Sequence, residues 1–142
     1  RRTSRLVFRW NGIAGLGAGA RFVMGKGVPS IRKQEIDLTA ALIGGLRTIP
    51  DVVVYGTGAA EKQTPVVSFN IKGKRPSDVS LALDEEFGIM SRPGLQCAPA
   101  AHRTIGTFPA GTVRLSLGFF NTEKDVETVL RAIEQLSSRK GL

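Results

Sequence analysis

Proline sets the grain of this sequence. Pro29, Pro50, Pro65, Pro76 and Pro99 cut the chain into short segments. A ring-locked residue without an N–H is tolerated in the first turn of a helix, just past a helix end, or at the first residue of a strand. Reading each proline into such a place fixes most element boundaries before any hydrophobic pattern is consulted.

Pro29 opens a helix that runs to about Thr48 and is closed by Pro50. Ile31, Ile36, Leu38, Leu42, Ile43, Leu46 and Ile49 form its apolar side. Val52–Tyr55 is a β-branched run ended by Gly56 and Gly58, hence a strand. A polar loop to Thr64 leads to a second strand, Pro65–Ile71, and a turn at Lys72–Arg75. Pro76 opens a helix to Phe87 with Val79, Leu81, Ala82 and Leu83 inward, and Gly88 stops it. Ile89–Arg92 reads as a short third strand, followed by a loop to Gly111. Thr112–Leu117 alternates Val113, Leu115 and Leu117 against Thr112, Arg114 and Ser116, which predicts a half-buried strand with Arg114 on its open face. Thr122 and Asp125 are spaced as a capping box. The helix they open buries Val126, Val129, Leu130, Ile133 and Leu136 and is expected to fray from Ser137.

The stretch before Pro29 differs in kind. Asn11–Gly27 is dense in glycine and alanine, yet Ile13, Leu16, Ala20 and Val23 keep helical spacing. We read Ile13–Met24 as a helix that must lean on neighbours, since each glycine costs about 1 kcal/mol relative to alanine. Leu6–Phe8 is an unframed short strand. The order α-α-β-β-α-β-β-α predicts an α+β fold, a two-layer sandwich: a small, mostly antiparallel four-stranded sheet with helices on one side.

Composition narrows the function classes. At 142 residues, 42% hydrophobic and 23% charged, the chain suits a soluble globular domain with a real core. Its single cysteine rules out an internal disulfide and fits a reducing, cytoplasmic setting. No apolar run is long enough for a membrane span, and no signal-peptide pattern is present. Half of the formal charge of +8 comes from Arg1, Arg2, Arg5 and Arg9. The body lacks a basic stripe interleaved with aromatics, so nucleic-acid binding is a weak reading.

The lone cysteine lies in Ser91–Pro99. A free cysteine is either a small buried hydrophobe or a chemical tool. Arg92 before Cys97 and His102 and Arg103 after it supply positive charge, which favours the reactive thiolate. If a helix starts at Pro99, its dipole adds to that field. His102 is the only histidine. One cysteine and one histidine are too few for a zinc site, and a Cys97–His102 nucleophilic pair lacks an evident third orienting group. Arg114 amid apolar neighbours needs a partner, either a protein acid or a ligand carboxylate or phosphate. Gly15–Ala20 matches a loose dinucleotide-binding fingerprint, but no βαβ unit frames it, and a close-packed helix is the better reading.

Four segments then converge: Gly12–Gly19, Pro65–Asn70, Arg92–Pro99 and Gly111–Thr122. In order and spacing they resemble the C-terminal part of class V aminotransferase-fold, pyridoxal-phosphate enzymes, in the cysteine desulfurase and selenocysteine lyase branch. The resemblance runs from about residue 12 to the end. It implies that Cys97 is the active-site cysteine, which becomes a persulfide as alanine is released. Arg114 is implied as the partner of the substrate carboxylate, with Arg92 near substrate and cofactor. His102 is a candidate accessory residue without an assigned role.

The departures from the family pattern carry equal weight. The family's large cofactor-binding domain, with its histidine–lysine pair and phosphate contacts, has no counterpart here. None of the seven lysines sits in such a motif. The expectations are therefore an off-pattern leader over residues 1–10 (a tag, fusion scar or out-of-frame segment), a remnant helix of the large domain over 11–27, and the small domain over 28–142. Pyridoxal phosphate is expected to be absent from the fragment, which alone is inactive. Expected partners are the missing large domain or a second copy, as in the family's homodimers, and a sulfur-acceptor protein. The Ile13–Met24 helix is expected to self-associate. A non-enzymatic persulfide carrier or interaction domain is the alternative.

Overall fold

In the computed structural model, residues 10–140 are described. The strand read at Leu6–Phe8 and most of the 1–10 leader lie outside them. The chain divides into two compact units, the division falling between Lys33 and Gln34. The first unit contains α1 (Trp10–Lys26) and the start of α2 (Val28–Thr48). Gly27, at φ 80°, turns the chain between them, and its N–H bonds Val23 O at 2.8 Å. Gly15–Ala20 lies inside α1, without the strand-to-helix turn that a pyrophosphate cradle needs. Ile13, Leu16, Val23 and Met24 of α1 are exposed.

The second unit carries a four-stranded antiparallel sheet in the order β1-β2-β4-β3, from β1 (Val52–Tyr55), β2 (Val66–Ile71), β3 (Arg92–Gly94) and β4 (Thr112–Ser116). A single 3-10 turn, Ala60–Lys62, interrupts the loop between β1 and β2. β2 alternates buried and half-buried residues, as its sequence alternates Val67, Phe69 and Ile71 with Val66, Ser68 and Asn70. Val67 lies opposite Leu115 and Phe69 opposite Val113, so the apolar positions of neighbouring strands stack on one face.

Three helices supply the core that covers this face. They are α2, α3 (Pro76–Phe87) and α5 (Glu123–Ser138), through Leu38, Leu42, Leu46, Val79, Leu83, Val126, Ile133 and Leu136. Fully burying a side chain such as Phe69 contributes about 1.5–3 kcal/mol. Gly45 of α2 is dictated by packing, since a Cβ there would overlap Leu130 of α5. Gly88 ends α3 at φ 65°, and Ile89 N–H reaches back to Leu83 O at 2.8 Å. Thr122 and Asp125 form the expected capping box: Thr122 N–H donates to Asp125 Oδ2 at 2.8 Å, and Asp125 N–H to Thr122 Oγ1 at 3.3 Å. The fold class is thus the expected α+β sandwich.

Three boundaries depart from expectation. The third strand is Arg92–Gly94 rather than Ile89–Arg92. Ile89 packs against the helical core instead, and Pro93 is tolerated because β3 is an edge strand. The 97–111 loop contains α4 (Pro99–Thr104), with Pro99 in its first turn, which adds a helix to the expected order. The last helix does not fray at Ser137: it continues to Ser138, and Ser137 Oγ donates to Pro50 O at 2.5 Å.

Candidate functional site

β3 and β4 present a second, polar face. In their register Arg92 lies opposite Arg114 and Gly94 opposite Thr112, while Ser68 of β2 flanks Arg114 on the other side. Paired residues share a face, so two arginines, Ser68 and Thr112 are gathered there. No acid stands among the paired positions of that face. Like charges directly opposite each other are destabilising. Arg114 Nε is buried with no hydrogen-bond partner among the described residues, and Asn70 Oδ1 and Thr112 Oγ1 share that condition. Asn70 Nδ2 donates to Gly111 O at 3.0 Å. A buried polar group left unpaired costs about 1–3 kcal/mol. The complement of this arrangement is an anion, and a planar carboxylate matches the guanidinium fork of Arg114.

Thr112 departs from the simple alternation: it belongs to the polar face yet is fully buried. Beside it, Gly111 has φ 81°, and a Cβ there would overlap the Gly94 backbone. That close approach draws the two ends of the 94–111 segment together.

The loop after β3 carries Cys97, which is exposed. Gly94, Gln96 and Cys97 all have positive φ, at 93°, 52° and 62°. Gly94 adopts this freely, whereas Gln96 and Cys97 each cost roughly 1–2 kcal/mol. Ala98 N–H closes the turn on Leu95 O at 2.9 Å. Gln96 Nε2 donates to Arg92 O at 2.9 Å and to Thr112 O at 3.2 Å. Pro99 does open a helix behind Cys97, but one of only six residues with no side-chain cap at Ala98.

His102 has a different place. It is 5% exposed, and its Nδ1 lies 2.6 Å from Thr107 Oγ1. Its carbonyl accepts the N–H groups of Thr107 and Phe108 at 2.9 and 3.2 Å. The imidazole thus holds the turn after α4, and no hydrogen bond joins it to Cys97. Arg103 rests over the Phe108 ring at 4.7 Å. Cys97, Arg92 and Arg114 are therefore gathered on one strand pair and its loop, while His102 serves the neighbouring turn. Gln96 lies in the Arg92–Pro99 segment, but neither charge nor periodicity marks it. Asn70 and Thr112 carry a weak one, as polar residues at alternating positions in apolar strands.

Elsewhere, a groove of about 480 Å³ is lined by Phe87, Ile89, Met90, Leu117 and Val129, among others, and by neither arginine nor Cys97. Among the described residues, no group of histidine, cysteine, aspartate and glutamate is placed to hold a metal ion. No described helix is long and apolar enough to cross a membrane.

Comparison with known proteins places this geometry. Residues 9–129 match the model of the class-V aminotransferase family. A probable cysteine desulfurase of Pyrococcus abyssi is 36% identical over 125 residues, covering 88% of this chain and 30% of the relative. One from Synechocystis is 32% identical over 120 residues, covering 84% and 28%. The chain thus spans less than a third of these relatives' length. The apo structure of a cysteine desulfurase from Thermococcus onnurineus NA1 superposes with a TM-score of 0.80 at 37% identity, over 87% of this chain and 30% of that one. A cysteine desulfurase of Escherichia coli, at 22% identity and a TM-score of 0.75 over 87% and 29% of the two chains, shares the fold. Fold and sequence agree, and the chain belongs to the class-V aminotransferase family as a segment homologous to cysteine desulfurases.

Proposed function

We propose that this chain is the C-terminal part of a pyridoxal-phosphate-dependent, cysteine desulfurase-like enzyme. Residues 11–27 are then a helix of the large-domain side, and 28–142 the small domain. Cys97 takes a sulfur atom from a cysteine substrate and holds it as a persulfide. Arg114 receives the substrate carboxylate in a bidentate pair, and Arg92 adds positive charge beside it. The observation that carries this reading is the buried, unpartnered Arg114 Nε in register with Arg92, on the strand pair whose loop exposes Cys97.

The class-V family depends on pyridoxal phosphate. The residues of this chain do not fit that cofactor: no lysine lies on the four strands or in the cysteine loop, and Lys74 is engaged with Arg139 O at 2.6 Å. We therefore assign the cofactor to a partner segment, either a large domain or a second copy, and predict no turnover by this chain alone. A sulfur-acceptor protein and a reducing, cytoplasmic setting complete the proposal.

Mass spectrometry after incubation with a small persulfide donor tests the role of Cys97. One added sulfur atom on the peptide carrying Cys97, absent in Cys97→Ser, is the expected result. Native protein that stays unlabelled overturns the reading. A titration with pyridoxal phosphate should give no stable visible absorption band. A band lost on replacing one particular lysine refutes the cofactor assignment. The exposure of Cys97 also favours a second reading, a carrier that ferries persulfide without catalysis. Arg114→Lys separates the two in a complemented enzyme, because it impairs a desulfurase and leaves a carrier unchanged.

A further inference from the structure

The cysteine loop is held by Gln96, a residue of the Arg92–Pro99 segment to which no charge pattern points. Gln96 and Cys97 are consecutive non-glycine residues in the left-handed region, at φ 52° and 62°. L-residues adopt that conformation in succession only where surrounding contacts hold them. The contact here is the Gln96 amide. Its Nε2 donates to the carbonyl of Arg92, in β3, and to the carbonyl of Thr112, in β4. One side chain therefore ties the loop to both strands, between the residue opposite Arg114 and the residue opposite Gly94. Because the amide touches Arg92 O at 2.9 Å, the next residue, Cys97, is tethered to the β3 residue that stands opposite Arg114.

We propose that Gln96 is a positioning residue, whose paired hydrogen bonds to Arg92 O and Thr112 O hold Cys97 in the field of the arginine pair. The proposal rests on Cys97 being the reactive thiol and goes beyond it by naming what places that thiol. Loss of the amide releases the loop, and Cys97 then behaves as an ordinary exposed thiol. The amide donates without carrying charge, so it braces the loop and leaves the field to the arginines.

The test uses two alkylating reagents of similar size and different charge. In each, the Cys97 sulfur displaces iodide from carbon. Rates are measured with iodoacetate and iodoacetamide, and their ratio is compared with that of glutathione. In the native chain the ratio should exceed the glutathione value by roughly threefold, the effect of about one unit charge at several ångströms in water. Gln96→Ala, Gln96→Met and Gln96→Gly should all bring it down to the glutathione value. Gln96→His, which keeps a ring N–H donor, should restore part of it.

The variants separate the explanations. Glycine takes positive φ freely, so a ratio kept in Gln96→Gly and lost in Gln96→Ala means backbone preference and overturns the amide brace. Methionine keeps the side-chain length, which guards against a truncation that merely unfolds the chain. An unchanged ratio in all variants overturns the proposal and leaves the reactive-thiol reading intact. A native ratio equal to that of glutathione overturns both.

Discussion

The two faces of the sheet are built to opposite specifications. On the helix-covered face, Val67, Phe69, Ile71, Val113 and Leu115 are all at most 5% exposed and packed against three helices. On the polar face, the same strands set Arg92 against Arg114 and leave Arg114 Nε, Asn70 Oδ1 and Thr112 Oγ1 buried and unpaired. One face is complete within this chain. The other holds buried polar atoms that find no partner among the described residues, and natural proteins keep such deficits chiefly where something else binds. Apolar packing is thus concentrated on one side of β4 and unpaired buried polar atoms on the other.

Substitutions can break that contrast. Phe69→Ala, on the complete face, should lower the unfolding free energy by about 3–5 kcal/mol in a urea titration. Gly111→Ala strikes the joint between β4 and the cysteine loop. Its positive φ and the overlap with Gly94 predict a loss of about 2–3 kcal/mol. Thr122→Ala removes the cap of α5 and should cost about 1 kcal/mol.

The cap carries a pH signature. The Asp125 carboxyl is held below its ordinary range, first by the backbone N–H of Thr122 and next by that residue's hydroxyl. A lowered folded-state value means the contribution is complete above the ordinary aspartate range and is lost as the pH falls through the folded-state value. The difference between native and Thr122→Ala should accordingly shrink in acid. Arg114→Met gives the smallest change in stability, within about 1 kcal/mol, because it removes an unpaired buried donor along with the packing of the stem. A loss comparable to that of Phe69→Ala would erase the contrast between the faces.

Much of the architecture was legible residue by residue. Pro76 and Gly88 bracket α3, Thr122 and Asp125 cap α5, and the alternation in β2 and β4 names the core face. Each rests on a local rule: fixed φ, a reciprocal side-chain bond, or the two-residue period of a strand. The third strand was misplaced because Ile89–Met90 looks more strand-like than Arg92–Pro93–Gly94. Edge pairing with β4, a non-local event, selected the second stretch. α4 shows the converse, a short helix whose only local signal was Pro99.

In the candidate site, residue types were readable and relationships were not. A lone cysteine amid cations and an arginine inside an apolar strand stood out by composition. That Arg92 faces Arg114 depends on a register joining residues twenty-two positions apart. That His102 is committed to Thr107 depends on the turn after α4.

By itself the sequence determined most helix starts and stops and the apolar side of β2 and β4, because capping, proline geometry and side-chain alternation act between near neighbours. Only the tertiary structure decided that Arg114 Nε is buried without a partner among the described residues and that Gln96 spans two strands. Both depend on strand pairing between distant segments, which no local rule encodes.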